Sequence, residues 1–442
     1  MAIVATIAIF MVSNFSIGAS VDIQISRPDG STLLKIPTIT TFSLGKTVKE
    51  MYHAHVYTLM TLVLVFSGIW PYVKLITMLI SWVCPVRAIS FENRERLLIW
   101  LDALGKYSLV DSFVLVLMLV SFKFHIELPG VAIIDSFVIP ATGFYLFMAA
   151  TVLSLIIGHS VTFFHRWTKI PDMPSSVARE ALCNHCFQTD HVMGRPQSAR
   201  FSRCAKLSWA IVTMVCIVTL CVGAVNKSFT FEFEGLAGMV LGDDRKNSYS
   251  LMTLGTSLPL SVENPKSIGV QSIQYTFFFF AILMPFGCLA AITVLFYTPM
   301  TLKNQQITFM IAEIANAWSA VEVFLLSILA SMLELSQFAA FMVGDHCDFM
   351  KAPFFQDLFD GATTCFSVRS TVSFGVVYLC IGVALYNFVV FTGLRLAHIA
   401  LEERMSREAI AGLDGQSHRE TIISKLIRYR SLNFLVERLT YD

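Results

Sequence analysis

Apolar residues in this chain gather into long runs separated by short polar connections. A helix that crosses a bilayer needs about 20 predominantly apolar residues. Eight runs reach or approach that length, at about 1–19, 55–83, 97–123, 141–165, 206–225, 271–297, 306–335 and 372–397, the third and seventh opening with partly charged, amphipathic turns. After the first and fifth runs the pattern changes to alternation, in Val21-Asp-Ile-Gln-Ile-Ser26 and Ser228-Phe-Thr-Phe-Glu-Phe233. A period of two predicts short strands. The expected fold is therefore an all-α polytopic membrane protein of two tandem four-helix transmembrane repeats, about 8 spans, with small β-containing extracytoplasmic caps. The expected segments are a first repeat over 1–165, a linker over 166–205, a second repeat over 206–397 and an amphipathic tail over 398–442.

Composition agrees with a lipid solvent, since 55% of residues are hydrophobic, only 14% are charged and the mean hydropathy is +0.66. The net charge is +1, and the absence of a basic arm with interleaved aromatics argues against nucleic acid as a partner. The first run lacks a basic leader and a small-residue cleavage site, so it reads as a retained helix. Lysine and arginine number nineteen in the connections 84–96, 166–206 and 298–305 and the tail from 395, against ten in the opposite connections. The positive excess places both termini in the cytoplasm.

The two halves repeat one another. Tyr107-Ser-Leu-Val-Asp-Ser-Phe113 answers Trp318-Ser-Ala-Val-Glu-Val-Phe324, Ile69-Trp-Pro71 answers Leu283-Met-Pro285, and Phe42-Ser-Leu44 answers Tyr249-Ser-Leu251, at offsets of 211, 214 and 207 residues. An even number of helices per copy gives both copies the same orientation in the membrane. These motifs, with Arg94-Glu-Arg-Leu-Leu-Ile-Trp-Leu-Asp-Ala-Leu-Gly-Lys106 and Phe231-Glu-Phe-Glu-Gly-Leu-Ala-Gly238, resemble the paraquat-inducible protein A family over nearly the whole chain. The resemblance implies a bacterial inner-membrane protein that works beside a mammalian-cell-entry domain protein, a tunnel-forming carrier of membrane lipids. It also implies zinc ribbons built from Cys-x-x-Cys pairs on the cytoplasmic side of each copy. Here the second copy carries one such pair, Cys183-Asn-His-Cys186, followed by Cys204. A Phe- and Ile-rich composition points instead toward a eukaryotic membrane.

Tetrahedral zinc takes four thiolate or imidazole ligands, and Cys183, Cys186, Cys204 and either His191 or His185 form a candidate structural set. A degenerate ribbon with free thiols is the alternative. Cys347 and Cys365, in the connection before the last run, are a candidate disulfide or two unrelated thiols.

Ionisable residues inside the bilayer are costly and by default mark a pathway, a relay or a buried pair. Asp111 and Glu322 occupy equivalent places, roughly 14 to 16 residues into their helices, near the middle of the bilayer at 1.5 Å rise. Asp102 and Lys106, four apart, are expected to pair on one helix face, leaving Lys74 for Asp111. Cys288 takes the place of Lys74 in the second copy, so Glu322 is expected to lack a cation and to be protonated. A paired acid in one half and a protonated one in the other suits proton coupling, with His159 as a further relay candidate. The bland alternative is a buried pair that sets helix register. Tyr107 and Trp318 either hydrogen-bond across helix interfaces or simply pack there. Pro71 and Pro285 each strip a backbone donor from their helix and so form kinks or flexing points. The tail, with Ile410, Leu413, Ile422, Ile423, Leu426 and Ile427 among charges, reads as a surface helix.

Neither a phosphate-binding loop, a zinc-protease signature nor a nucleophile elbow occurs, so an enzyme is not expected. The expected function is that of an integral membrane subunit of intermembrane lipid transport, loading or extracting lipids with proton coupling. The alternatives are an autonomous proton-coupled transporter of small solutes and a membrane scaffold.

Overall fold

The computed structural model describes residues 1–27, 32–85, 89–121, 124–128, 132–167, 179–184, 189–192, 195–198, 203–235, 238, 242–262, 265–344 and 367–413. The first repeat runs α1 (Ala2–Phe15), β1 (Ala19–Ser26), β2 (Thr32–Phe42), α2 (Leu44–His53), α3 (Tyr57–Val63), α4 (Trp70–Val83), α5 (Phe91–Ala103), α6 (Val110–Ser121), β3 (Phe124–Leu128), β4 (Ala132–Pro140) and α7 (Thr142–Trp167). A two-stranded ribbon, β5 (Thr189–Val192) and β6 (Arg195–Ser198), follows. The second repeat runs α8 (Arg203–Val225), β7 (Phe229–Glu234), β8 (Lys246–Tyr249), α9 (Leu251–Ser257), α10 (Ile268–Phe278), α11 (Met284–Tyr297), α12 (Leu302–Trp318), α13 (Val321–Gly344), β9 (Ser367–Val372) and α14 (Gly375–Leu413).

Among the described residues, seven helical segments are long and apolar enough to cross a membrane: Tyr57–Val83, Asn93–Ser121, Thr142–His165, Arg203–Val225, Ile268–Tyr297, Leu302–Glu334 and Gly375–Met405. The first apolar run is the exception, because α1 has only 14 residues. At 1.5 Å per residue it reaches about 21 Å, against a hydrocarbon core of about 30 Å. Its last turn gives way at Ser16, where the backbone becomes extended and leads into β1.

Both alternating stretches are strands, and each is the centre of a small antiparallel sheet. The first sheet has the order β2-β1-β4-β3 and the second β8-β7-β9. In β7 the side chains of Phe229, Phe231 and Phe233 are buried while Thr230, Glu232 and Glu234 are not, as a half-buried strand requires. Tyr249 packs against Phe229 and Phe231, and burial pushes its phenol above the usual tyrosine range. Ser250 then starts α9 through a capping box with Thr253.

The two prolines that recur at matching places in the repeats, Pro71 and Pro285, explain a second shared feature. A turn of π-helix precedes each: Leu64–Ile69 before Trp70-Pro71 and Phe279–Leu283 before Met284-Pro285. Proline has no N–H to give, and the helix widens by one residue on approaching it, so that Trp70 donates to the carbonyl of Val65 and Met284 to that of Phe279. In the wider register the carbonyl that Pro285 leaves without a donor is that of Phe280. It accepts instead from the backbone N–H of Ala320 at 3.0 Å, in the break between α12 and α13.

The chain forms two compact units. The larger comprises Met1–Thr168, Val215–Phe286 and Ile314–Tyr386, and the smaller Lys169–Met214, Gly287–Glu313 and Asn387–Asp442. Phe113 and Phe324, equivalent in the two repeats, meet edge to face in the larger unit at 5.6 Å, and Phe277 packs against both. The smaller unit is tied by Arg404, which is buried and donates to the carbonyl of Met300 at 3.1 Å and to Gln305 Oε1 at 2.7 Å. Gln305 in turn donates to the Glu180 carbonyl at 2.8 Å.

Candidate functional site: a buried polar cluster

The aromatic-Ser-x-x-acid motif marks the point at which a spanning helix stops and restarts. In the first repeat α5 ends at Ala103, a 3-10 turn covers Gly105–Leu109, and α6 begins at Val110. In the second, α12 ends at Trp318 and α13 begins at Val321. Asp111 and Glu322 therefore lie in the first turn of a new helix, where the dipole favours an acid. Ser-x-x-acid is also the spacing of a capping box, although Ser319 Oγ has no hydrogen-bond partner. The aromatic heads of the two motifs are equivalent in their packing: Tyr107 stacks on Phe66 at 5.3 Å and Trp318 on Phe280 at 5.8 Å.

The break rearranges the expected ion pairs. Asp102 is on the α-helix and Lys106 on the tighter 3-10 turn, so four residues no longer return to the same face and the two do not pair. Lys106 instead forms an ion pair with Glu322 of the second repeat, and both side chains are nearly enclosed. Glu322 is thus not the acid without a cation. Asp102 turns to α7, where His159 Nδ1 donates to its Oδ2 at 2.8 Å.

Lys74 does not reach Asp111 either. It is 1% exposed, and its ammonium donates to the Ser154 carbonyl at 3.3 Å. Two glycines make room for it. A Cβ at Gly105 would collide with the Lys74 ammonium, and one at Gly158 would lie 2.7 Å from Asp102 Oδ1 and 3.6 Å from Lys74 Nζ. Lys74, Asp102 and His159 therefore form one group, and Lys106 with Glu322 another. The indole of Trp318 joins them, stacked on the His159 ring at 6.1 Å and four residues from Glu322. Asp102 Oδ1, His159 Nε2, Trp318 Nε1 and Glu322 Oε2 are buried without a protein partner. Four unsatisfied polar atoms in one cluster are costly in a dry interior, and such sites are where protons or polar ligands are handled.

Asp111, the remaining acid, belongs to neither group and opens into a separate chamber below the first sheet. A groove of about 530 Å3, walled by Tyr57, Thr58, Thr61, Val65, Phe66 and Leu326, runs along α3 and the π-turn. At its end Glu334 accepts from the backbone N–H groups of Thr58 at 2.9 Å and Leu59 at 2.7 Å. This acid from the second repeat caps the first spanning helix of the first repeat. Sequence reasoning passed over Glu334, and over the buried Arg404, because they fall at or beyond the ends of the expected apolar runs 306–335 and 372–397, where a charge looks solvated, although α13 and α14 continue past both.

The cysteine cluster is only partly described. Cys183 is buried in a short turn, Cys204 is exposed at the start of α8, and the backbone of His191 is in β5. Cys186, His185 and the His191 side chain lie outside the described residues, as do Cys347, Cys365 and the tail beyond 413.

Two repeats of broken spanning helices, clasped by an ion pair and flanked by buried polar groups, define a multi-pass helical membrane protein with an internal polar site. The family profile described as Paraquat-inducible protein A matches residues 36–170 and 268–352, one stretch in each repeat and each with its acid motif. The chain belongs to this family. No curated protein and no solved structure matches it.

Proposed function

We propose that the protein is the membrane subunit of a lipid transport system, loading or extracting lipids, with protons exchanged at the cluster of Lys74, Asp102, His159, Lys106 and Glu322. It acts as a transport component rather than an enzyme, beside a lipid carrier of the mammalian-cell-entry class. The observation that carries the reading is the ion pair of Lys106 and Glu322 between the repeats, set next to buried atoms that lack partners. Membrane proteins rarely retain such groups without a pathway or coupling role. The apolar groove beside Phe66 and Leu326, with the Thr58 and Thr61 hydroxyls on its wall, supports a lipid as the cargo. Zinc at Cys183, Cys186, Cys204 and His191 is a further proposal, and its role there is structural.

Mass spectrometry on the protein gently extracted from its native membrane tests this reading. Stoichiometric phospholipid together with a mammalian-cell-entry-type partner is the expected result. A lone protein with no enriched lipid contradicts it and favours an autonomous transporter of small solutes.

A further inference from the structure

The groove along α3 ends at a helix start that does not cap itself. Val56, the residue before α3, has no side-chain oxygen to hold the first-turn N–H groups. The Glu334 carboxylate of α13 takes that role from the other repeat, accepting from Thr58 at 2.9 Å and Leu59 at 2.7 Å. The equivalent helix of the second repeat, α10, carries its own cap, for Ser267 Oγ accepts from the N–H of Val270 at 3.4 Å. One first spanning helix is thus fastened from within its repeat, and the other from across a seam. The chain entering α3 is also unusual. His55 has a φ of 60°, the one positive φ of a non-glycine residue among the described residues. Side chains disfavour this left-handed region, and such conformations gather at functional and moving points. The His55 ring and the Tyr57 hydroxyl share a hydrogen bond at 2.8 Å.

The groove itself is graded. The hydroxyl-bearing Tyr57, Thr58 and Thr61 line its Glu334 end, and Val65, Phe66 and Leu326 line the rest. Tyr57 and Val65 are exposed on a membrane-spanning segment, so the groove opens toward hydrocarbon. Hydroxyls that can donate to ester oxygens, followed by an apolar track, match the glycerol region and acyl chain of a phospholipid. The apolar end reaches the ion pair, because Phe66 stacks on Tyr107, next to Lys106, and Leu326 follows Glu322 by about one turn of α13. The Glu334 end lies on the side of the small sheets, where Ser370 of β9 donates to the Met332 carbonyl at 2.8 Å.

We propose that the seam between α3 and α13 is a lateral gate, hinged at His55 and latched by Glu334, which admits the acyl chain of a phospholipid from the leaflet beside the small sheets. The latch is two hydrogen bonds from one side chain, so it opens without breaking a bond inside either helix. The identity of the occupant rests on the lipid reading above, whereas the latch does not.

The test combines hydrogen–deuterium exchange of the full chain in phospholipid nanodiscs with photocapture of lipid by a benzophenone amino acid. That amino acid replaces Leu326 or, as a control at an exposed position outside the groove, Ile76. Glu334→Gln keeps one acceptor where the carboxylate has two, so the amides of Thr58 and Leu59 are expected to exchange about tenfold faster than in the wild type. Lipid capture at position 326 is expected to rise severalfold, with capture at position 76 unchanged. Should Glu334→Gln fail to fold, Glu334→Asp, which keeps the charge and shortens the reach, is expected to give the same two changes. Unchanged exchange at Thr58 and Leu59 overturns the latch and with it the gate. Faster exchange with no added capture at position 326 overturns the gate as a lipid route. Both failures are distinct from failure of the transport reading, which is read from lipid and carrier co-extracted from the native membrane.

Discussion

Glu322→Gln is expected to destabilise the larger unit by about 3–5 kcal/mol, because it leaves Lys106 buried with no opposite charge. Lys106→Met leaves the carboxylate in the same position and is expected to cost a similar amount. The double variant Lys106→Met/Glu322→Leu removes both charges and recovers most of that loss, since apolar replacement of a buried pair is often neutral. Unfolding midpoints of the two single variants and the double, measured in one lipid, give the coupling energy directly. Additive losses show that the pair is not a unit. The double variant also separates two roles that the singles confuse, for a protein that is folded and still inactive shows that the charges serve transport rather than register.

The second large effect is expected at Asp102. Asp102→Asn keeps the shape of the side chain, yet it takes away the carboxylate that His159 donates to and the opposite charge nearest Lys74. If protons pass through this group, lipid movement falls about tenfold or more, a change of at least about 1.4 kcal/mol in the governing free energy. Its dependence on pH flattens as well. The measurement is transport rate against pH for Asp102→Asn beside wild type. A parallel curve, merely lower, assigns Asp102 to structure and removes it from the proton path.

Much of the architecture is legible in the sequence for simple reasons. Long apolar runs have one physical solution in lipid, and the alternation at Val21–Ser26 and Phe229–Phe233 has one solution at a half-buried surface. The repeat was readable because the acid motif and the two prolines recur at nearly constant offset. Partners within the polar cluster were not. Pairing Asp102 with Lys106 assumes an unbroken helix, and a single 3-10 turn at Gly105–Leu109 sends the two side chains to different neighbours. The signal was nevertheless present: Gly105 and the Ser-x-x-acid spacing after it are features of a helix that ends and restarts. Spacing alone also could not show that Lys74 occupies a niche made by Gly105 and Gly158, since both glycines come from other helices.

The prolines teach a related point. Pro71 and Pro285 announce missing donors, but the outcome is a π-turn whose free carbonyl, at Phe280, bonds the break in α12–α13. Two irregularities that read separately as kinks are one joint in three dimensions. That joint lies beside Trp318, which packs on Phe280 and His159, so a shift in one helix reaches the polar cluster without passing through a long chain of contacts.

The most direct test of the central claim is the rate at which a fluorescent phospholipid leaves proteoliposomes for an acceptor carrier, with wild type compared with Lys106→Met/Glu322→Leu under an imposed proton gradient. The account predicts gradient-dependent lipid movement in the wild type and background rates in the folded double variant; equal movement in both would contradict it.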